Sequence, residues 1–149
     1  MRDISDLVND ELASLIRDSY GTLPALADAC GVNYHGIYSI LARSGGERSI
    51  AALDLLVQKT GCTYEEAVAL YRTAPGEARR KKLEMIAEKN GWTIRELSAI
   101  CWGSPSYIYQ VITGKSGNKH TPNLIKLLDA LGLDVERFKA LVKNEKNIA

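Results

Sequence analysis

The sequence contains few of the residues on which disulfide-bonded, metal-binding or membrane proteins depend. Its three cysteines, Cys30, Cys62 and Cys101, show no CxxC spacing and no even count, so neither a disulfide framework nor a metal or redox centre is expected. No apolar run approaches the ~18 residues that are needed to span a bilayer, and the N-terminus carries no basic-then-apolar signal region. These absences predict an intracellular, cytoplasmic protein without a membrane contact, a metal or a cofactor.

The chain also lacks a clear excess of positive or negative charge, because its net charge is only +1 over 149 residues. A protein that neutralises phosphates usually carries more positive charge, although the local field matters more than the net charge. Positive residues gather at Arg79–Lys82 and again at Lys115, Lys119 and His120, whereas the start of the chain is acidic. The second half is therefore compatible with a basic face. A solvated helix end explains the Arg79–Lys82 cluster equally well.

Catalytic patterns are missing as well. No nucleophile, base and orienting group combine in a recognisable way, and no paired-carboxylate or phosphate-loop pattern occurs. The chain is therefore not expected to be an enzyme. With 46% apolar and 25% charged residues it has the composition of a globular protein, so both halves are expected to fold.

The chain contains two copies of one sequence repeat. Shifting residues 12–71 forward by 71 positions lays them on residues 83–142 without a gap. The matching residues include Leu12 and Leu83, Thr22 and Thr93, Cys30 and Cys101, Leu53 and Leu124, Leu56 and Leu127, and Leu70 and Leu141. The repeat predicts two domains, at 1–72 and 77–149, joined by a short linker at 73–76. Each half is small enough to be marginal alone, so we expect the halves to dock.

Apolar periodicity and capping residues predict five helices in the first copy and no strand. Thr22 caps a helix over Leu23–Cys30, Gly31 ends it, and Asn33 caps the next helix, Tyr34–Ala42. A loop is predicted over Arg43–Arg48, where Gly45 and Gly46 occur. A fourth helix then ends at Gly61, and Thr63 with Glu66 forms the capping box of a fifth.

The second copy repeats this pattern. A helix over Glu77–Asn90 is followed by one that Thr93 caps, Ile94–Cys101. Ser104 then caps a third helix that begins at Pro105 and closes at Gly114. A basic loop through Lys119 precedes two more helices, which are separated by Gly132. The repeat-equivalent cysteines lie on the apolar stripe of the same predicted helix, so both are expected to be small buried hydrophobes.

Two segments of this pattern are alike: T-L-P-A-L-A-D-A-C-G-V-N-Y-H-G-I-Y-S-I-L, and T-I-R-E-L-S-A-I-C-W-G-S-P-S-Y-I-Y-Q-V-I-T-G-K. Each joins a capped helix, a tight turn and a second helix with an inward isoleucine. At these residues the chain resembles the lambda-repressor-like (Cro/repressor, XRE-type) helix-turn-helix family, over about residues 7–72 and 78–143. The resemblance implies an all-α fold of two tandem five-helix domains, each of which presents a recognition helix to the major groove of DNA.

The resemblance also implies a set of DNA-contacting residues. Base-reading places fall on Tyr34, His35 and Ser39 in the first copy, and on Pro105, Ser106 and Gln110 in the second. The complete set of implied contacts is Thr22, Asn33, Tyr34, His35, Ser39, Arg43, Arg48, Thr93, Ser104, Ser106, Tyr107, Gln110, Lys115 and Lys119.

The chain departs from the family pattern in several places. A glutamine that is common near the start of the second helix is Leu23 or Ile94 here. Tyr34 and Pro105 are poor readers of base edges, which leaves Gln110 as the strong candidate. Trp102 replaces the turn glycine and is expected to be packed. Gly36 lowers the stability of its helix by about 1 kcal/mol relative to alanine, and it is compatible with a close approach of the backbone to DNA.

The equivalent tyrosines Tyr38 and Tyr109 have two interpretations: packing against neighbouring helices, which is favoured, or donation to a phosphate. For the whole chain the leading hypothesis is a sequence-specific transcriptional regulator of double-stranded DNA, acting as a repressor or autoregulator in a phage or other mobile element. Bound to DNA it would be nucleoid-associated, and two readers would span half-sites about 34 Å apart. The alternative is a helix-turn-helix protein-interaction module, such as a phage-encoded inhibitor of another protein. A homodimer is compatible with either.

Overall fold

The computed structural model describes residues 8, 10–41, 43–114 and 120–143, with the backbone alone at 43–48, 142 and 143. Within these ranges the chain is all-helical and contains no strand, as the sequence predicts. The helices are α1 (Asp10–Tyr20), α2 (Leu23–Cys30), α3 (Tyr34–Leu41), α4 (Arg43–Thr60), α5 (Tyr64–Arg72), α6 (Glu77–Lys89), α7 (Ile94–Trp102), α8 (Tyr107–Thr113), α9 (His120–Leu131) and α10 (Val135–Lys143).

Side-chain caps begin the helices where the sequence predicts them. The Thr22 hydroxyl accepts from the Ala25 amide, and the Asn33 side chain accepts from the Gly36 amide at 2.7 Å. Thr63 forms the expected capping box with Glu66 at the start of α5. The C-cap of α2 is Gly31, whose φ of 70° is the left-handed conformation that favours glycine. These predictions are confirmed.

Two helix boundaries differ from the prediction. The loop predicted over Arg43–Arg48 is wrong, because the backbone there is helical and forms the start of α4. Extending an existing helix is easier than nucleating one, so the flanking segments overcome the helix-weakening Gly45 and Gly46. The third helix of the second copy begins at Tyr107 and not at Pro105, since residues 105 and 106 form a turn in which the Tyr107 amide donates to the Ser104 carbonyl.

Contacts divide the described residues into two compact units that combine both copies of the repeat. The unit that we call the first bundle consists of the described residues up to Ile50 and from Pro122 onward, and thus contains α1–α3, the start of α4, most of α9, and α10. The second bundle runs from Ala51 to Thr121 and contains the rest of α4 and α5–α8. The boundaries at 1–72 and 77–149 stay a prediction from the repeat, and the packing units differ from them.

In the first bundle, helices of the second copy complete the core of the first three. Leu12, Leu26, Leu124 and Phe138 are each at most 1% exposed. The Tyr20 hydroxyl donates to the Ala130 carbonyl at 2.5 Å, which ties the end of α1 to the end of α9. Three helices of one copy and two of the other thus bury one apolar core.

The second bundle has the reciprocal composition. Leu53, Leu56 and Leu70 come from the first copy and Leu83 and Leu97 from the second, and all five are fully buried. The indole of Trp102 donates from Nε1 to the Ala52 carbonyl at 3.1 Å, so this tryptophan is packed, as expected. Tyr64 donates through its hydroxyl to the Asp54 carboxylate, which links α5 to α4.

The prediction that the repeat-equivalent cysteines are small buried groups is confirmed for Cys101 but not for Cys30. Cys101 is 2% exposed, and burial raises the pKa of its thiol to about 11. Cys30 is half-buried, and burial raises the pKa of this thiol as well. Neither environment favours the thiolate that redox or metal chemistry requires.

Arg79 is only 6% exposed, so neither the basic face nor the solvated helix end expected for its cluster applies to this residue. Its guanidinium donates from Nη1 to the Val111 carbonyl at 2.7 Å and from Nη2 to the carbonyls of Tyr71 and Thr73, both at 2.9 Å. These carbonyls lie at or near the C-terminal ends of α8 and α5, where the helix dipoles are negative. Arg79 therefore joins two helix ends across the segment 73–76.

Candidate nucleic-acid interface

The second helix-turn-helix consists of α7, the turn that follows it, and α8. Thr93 caps α7 and forms a capping box with Glu96 that the sequence did not single out. Arg95 lies exposed in the first turn, where the free amides and the helix dipole attract anions. This end of α7 has the character of a phosphate contact.

The turn between α7 and α8 is shifted relative to its counterpart in the first copy. α7 runs one residue longer than α2, and the left-handed residue that ends it is Gly103, with φ of 73°. Trp102 thereby becomes the last helical residue, and its ring packs 4.8 Å from that of Tyr107. A gap-free alignment of the two copies hides this shift.

Ser98 fixes the position of α8 relative to α7. This fully buried side chain donates to the Ser104 carbonyl and accepts from the Ile108 amide at 3.1 Å. It thus bridges both sides of the turn. Its counterpart in the first copy, Ala27, has no hydroxyl, so only the second helix-turn-helix has this bridge.

We expect Ser98→Ala to lower the free energy of unfolding by about 1–3 kcal/mol, because a buried amide and a carbonyl lose their partner. Ser106→Ala is the matched control, since the Ser106 side chain is exposed and bonds only to the Ser104 hydroxyl in the described structure. It should change stability by less than about 0.5 kcal/mol. Urea denaturation of both variants, followed by circular dichroism, measures the difference. Equal stabilities would show that Ser98 does not hold the turn.

The predicted reading residues of the second copy lie around the start of α8. Pro105, Ser106 and Tyr109 are exposed, while Tyr107 and Gln110 are half-buried. Tyr109 is 67% exposed, so the packing that the sequence favours for this residue is wrong. Arg95, Pro105 and Ser106 line an open depression with Ile108. The exposed Arg95 is thus adjacent to positions that the sequence predicts to face the groove.

The corresponding helix pair of the first copy, α2 and α3, has a different surface. His35 and Ser39 are exposed on α3 and Tyr34 and Tyr38 are half-buried, and the Tyr34 ring lies 5.7 Å from that of His35 and 6.1 Å from that of Tyr38. Thr22 and Asn33 are exposed at the helix starts that they cap. No Lys or Arg occurs from Leu23 to Leu41. This surface is aromatic and uncharged at the positions expected to face DNA.

Gly36 allows a close approach within the protein. A Cβ at this position would lie 2.7 Å from Cγ1 of Val32 and 3.5 Å from Nδ2 of Asn123. Because valine is stiff at χ1, its methyl group cannot easily move away. The need for glycine therefore follows from packing of the turn and α9 against α3, which the sequence-based interpretation missed.

Four predicted contacts cannot be placed in this interface. Lys115 and Lys119 lie outside the described residues. Arg43 and Arg48 lie in the helical backbone of α4, and their side chains are outside the described part. Two residues that the sequence-based prediction did not include are Arg95, which is exposed at the start of α7, and Ser98, which holds the turn. The position of Arg95 two residues after the cap Thr93 is the signal that could have indicated the first of them.

Comparison with known families gives a match for one part of the chain. Residues 83–138 match the model of the helix-turn-helix family. This segment is therefore similar to helix-turn-helix domains of the XRE type. The match begins within α6, ends within α10, and includes α7, the turn and α8. It does not include the first copy. Neither the curated proteins nor the solved structures gave a match to the chain.

The matched helix-turn-helix residues are divided between the two bundles. Residues 83–121 belong to the second bundle and residues 122–138 to the first. The second bundle contains α5 and the second part of α4 in addition to α6–α8. Among the described residues, no cluster of His, Cys, Asp and Glu could hold a metal ion. None of the helices in these ranges is long and apolar enough to cross a membrane.

Proposed function

We propose that the protein is a sequence-specific regulator that binds double-stranded DNA and represses transcription, including that of its own gene in a phage or mobile element. The observation that carries the proposal is the helix-turn-helix match over residues 83–138, together with the exposed start of α8 beside Arg95. A helix preceded by a tight turn and braced by a second helix enters the major groove with its N-terminal residues first. α8 is the primary reader and α3 the second.

Roles follow for the residues of this interface. Gln110 reads a base, because glutamine bonds adenine in a bidentate manner. Thr93, Arg95 and the predicted loop residues Lys115 and Lys119 contact phosphates. Ser104, Ser106 and Tyr107 lie where the N-terminal part of a recognition helix meets base edges and the backbone. In the first bundle, Thr22, Asn33, Tyr34, His35, Ser39, Arg43 and Arg48 have the corresponding roles.

We expect Gln110→Ala to weaken binding to the preferred duplex by about 1–3 kcal/mol, with a loss of preference at one base pair. Gln58→Ala is the matched control, because Gln58 is an exposed glutamine on α4 of the same bundle. Selection from random duplexes identifies the site, and fluorescence anisotropy over a range of salt concentrations measures affinity. Phosphate contacts should give a slope of about −0.9 per contact in log affinity against log salt.

Two results would count against DNA reading by α8. One is an unchanged preference for the selected site in the Gln110→Ala protein. The other is the absence of any enriched sequence after selection with the full chain. The second result would reject the proposed function as a whole.

The aromatic cluster of α3 favours a second candidate function, a protein-interaction module that acts as an inhibitor of another protein. Tyr34, His35 and Tyr38 provide apolar area with polar tips, and tyrosine is enriched where proteins bind one another. The lack of basic residues from Leu23 to Leu41 removes the attraction to phosphate on this helix pair. If the full chain retains one stoichiometric protein and selects no DNA sequence, this candidate replaces the first.

A further inference from the structure

Charged side chains lie where helices of one copy meet helices of the other. In the first bundle, Arg137 of α10 donates from Nη2 to the Glu11 carboxylate of α1 at 2.5 Å. Asp18 lies two turns further along α1, so that both acidic residues point to the same side of the helix. A basic side chain on α10 thus meets an acidic side of α1.

In the second bundle the signs are reversed. Glu66 of α5 lies beside α6, with Oε2 3.9 Å from Nζ of Lys89, and shares a groove with Lys82. The pKa of Glu66 is below its ordinary value, chiefly because of its hydrogen bonds with Thr63, and Lys89 and Lys82 lower it further. An acidic side chain on α5 thus meets a basic side of α6.

The 71-residue register makes these two sets equivalent. Glu11 corresponds to Lys82, Asp18 to Lys89, and Glu66 to Arg137, so each position has the opposite charge in the two copies. In the observed packing, opposite charges face each other in both bundles. If each copy packed on itself, Arg137 would face Lys82 and Lys89, and Glu66 would face Glu11 and Asp18.

We propose that these charges select the observed arrangement, which we call the exchanged packing. In it, α1–α3 of the first copy pack with α9 and α10 of the second, and α6–α8 of the second copy pack with α5 and the second part of α4 of the first. The apolar contacts discriminate little between the exchanged packing and a packing of each copy on itself. The reason is that Leu53, Leu56 and Leu70 have identical counterparts in Leu124, Leu127 and Leu141. Single exposed ion pairs contribute little to stability. Selection follows from the like-charge contacts that the alternative packing would create, and specificity of this kind rests on repulsion as much as on attraction.

Cysteine cross-linking in the full chain distinguishes the two packings. In a background where the three native cysteines are replaced by serine, Tyr20→Cys with Ala130→Cys reports the exchanged packing, since these residues are in contact. Ala130 corresponds to Lys59, so Tyr20→Cys with Lys59→Cys reports a copy packed on itself. With a short bismaleimide we expect the first pair to cross-link roughly tenfold faster within the monomer.

The double variant Glu66→Arg/Arg137→Glu exchanges the charges between the two helix pairs and should invert this ratio. The matched control is Arg80→Glu/Glu84→Arg, which reverses an ion pair confined to α6 and should leave the ratio unchanged. In the protein with the original charges, high salt should reduce the preference for the exchanged packing, because exposed charges are screened. Far-UV circular dichroism verifies that each variant is folded.

Two outcomes overturn the proposal. A folded double variant that keeps the original cross-linking ratio would show that the charges do not select the packing. Preferential cross-linking of positions 20 and 59 with the original charges would show that each copy packs on itself. Both readouts are independent of DNA binding, so the proposed function can fail while this inference stands.

Discussion

A fragment of residues 51–121 is expected to fold alone and to unfold cooperatively. It contains every helix segment of the second bundle, including the buried Leu53 and Leu70 from one copy and Leu83 and Leu97 from the other. At this size about 60% of the unfolded surface is buried on folding, which is enough for a marginally stable domain. Thermal unfolding followed by far-UV circular dichroism should give a sigmoidal transition.

The fragment 77–149 is the matched comparison, because it is similar in length and follows the repeat. It lacks α4 and α5, and α9 and α10 are the pair available to complete its core. Packing of that pair would bring Arg137 against Lys82 and Lys89. We therefore expect a lower unfolding midpoint than for 51–121. An unfolded 51–121 beside a cooperative 77–149 would contradict the observed division of the chain.

Arg79→Met is expected to destabilise the full chain by about 3 kcal/mol. The substitution keeps an unbranched side chain in the buried site but removes the donors to Tyr71, Thr73 and Val111. Three carbonyl groups would then lack the charged donor that joins the two helix ends. For a chain of this length we expect the melting temperature to fall by about 10 °C. Differential scanning calorimetry measures both quantities.

Arg80→Met is the control for this variant. Arg80 is the next residue on α6, and its exposed side chain pairs with Glu84 within the same helix. Loss of such a pair should cost less than about 0.5 kcal/mol. Arg79→Lys should lie between the two, because an ammonium group reaches fewer carbonyls than a guanidinium. Similar midpoints for Arg79→Met and Arg80→Met would exclude the structural role of Arg79.

Helix starts and stops could be predicted because their causes are local. A cap such as Thr22 or Asn33 acts within three residues, and Gly31 adopts a conformation that other residues rarely reach. The periodicity of apolar residues likewise predicted the all-helical character of the described residues. For the same reason the second helix-turn-helix was recognisable over residues 83–138.

Long-range packing could not be predicted from the same signals. The copies have matching apolar residues, so the core pattern alone does not reveal which helix pair completes which bundle. The helical backbone at Arg43–Arg48 depends on the helices on either side, whereas the local glycines favour a loop. Ser98 and Arg79 have partners on other helices, and a sequence pattern does not display such partners.

The division of the chain also sets the order in which its parts can fold during translation. The second bundle is complete once Thr121 has left the ribosome, because all of its residues lie between Ala51 and that point. Helices α1–α3 are synthesised earlier, yet their bundle is completed by α9 and α10, which follow the second bundle along the chain. Nascent chains usually fold from the N-terminus onward. Here helices α1–α3 emerge before the second bundle and are covered after it, so we expect them to be open to chaperones and proteases in the interval.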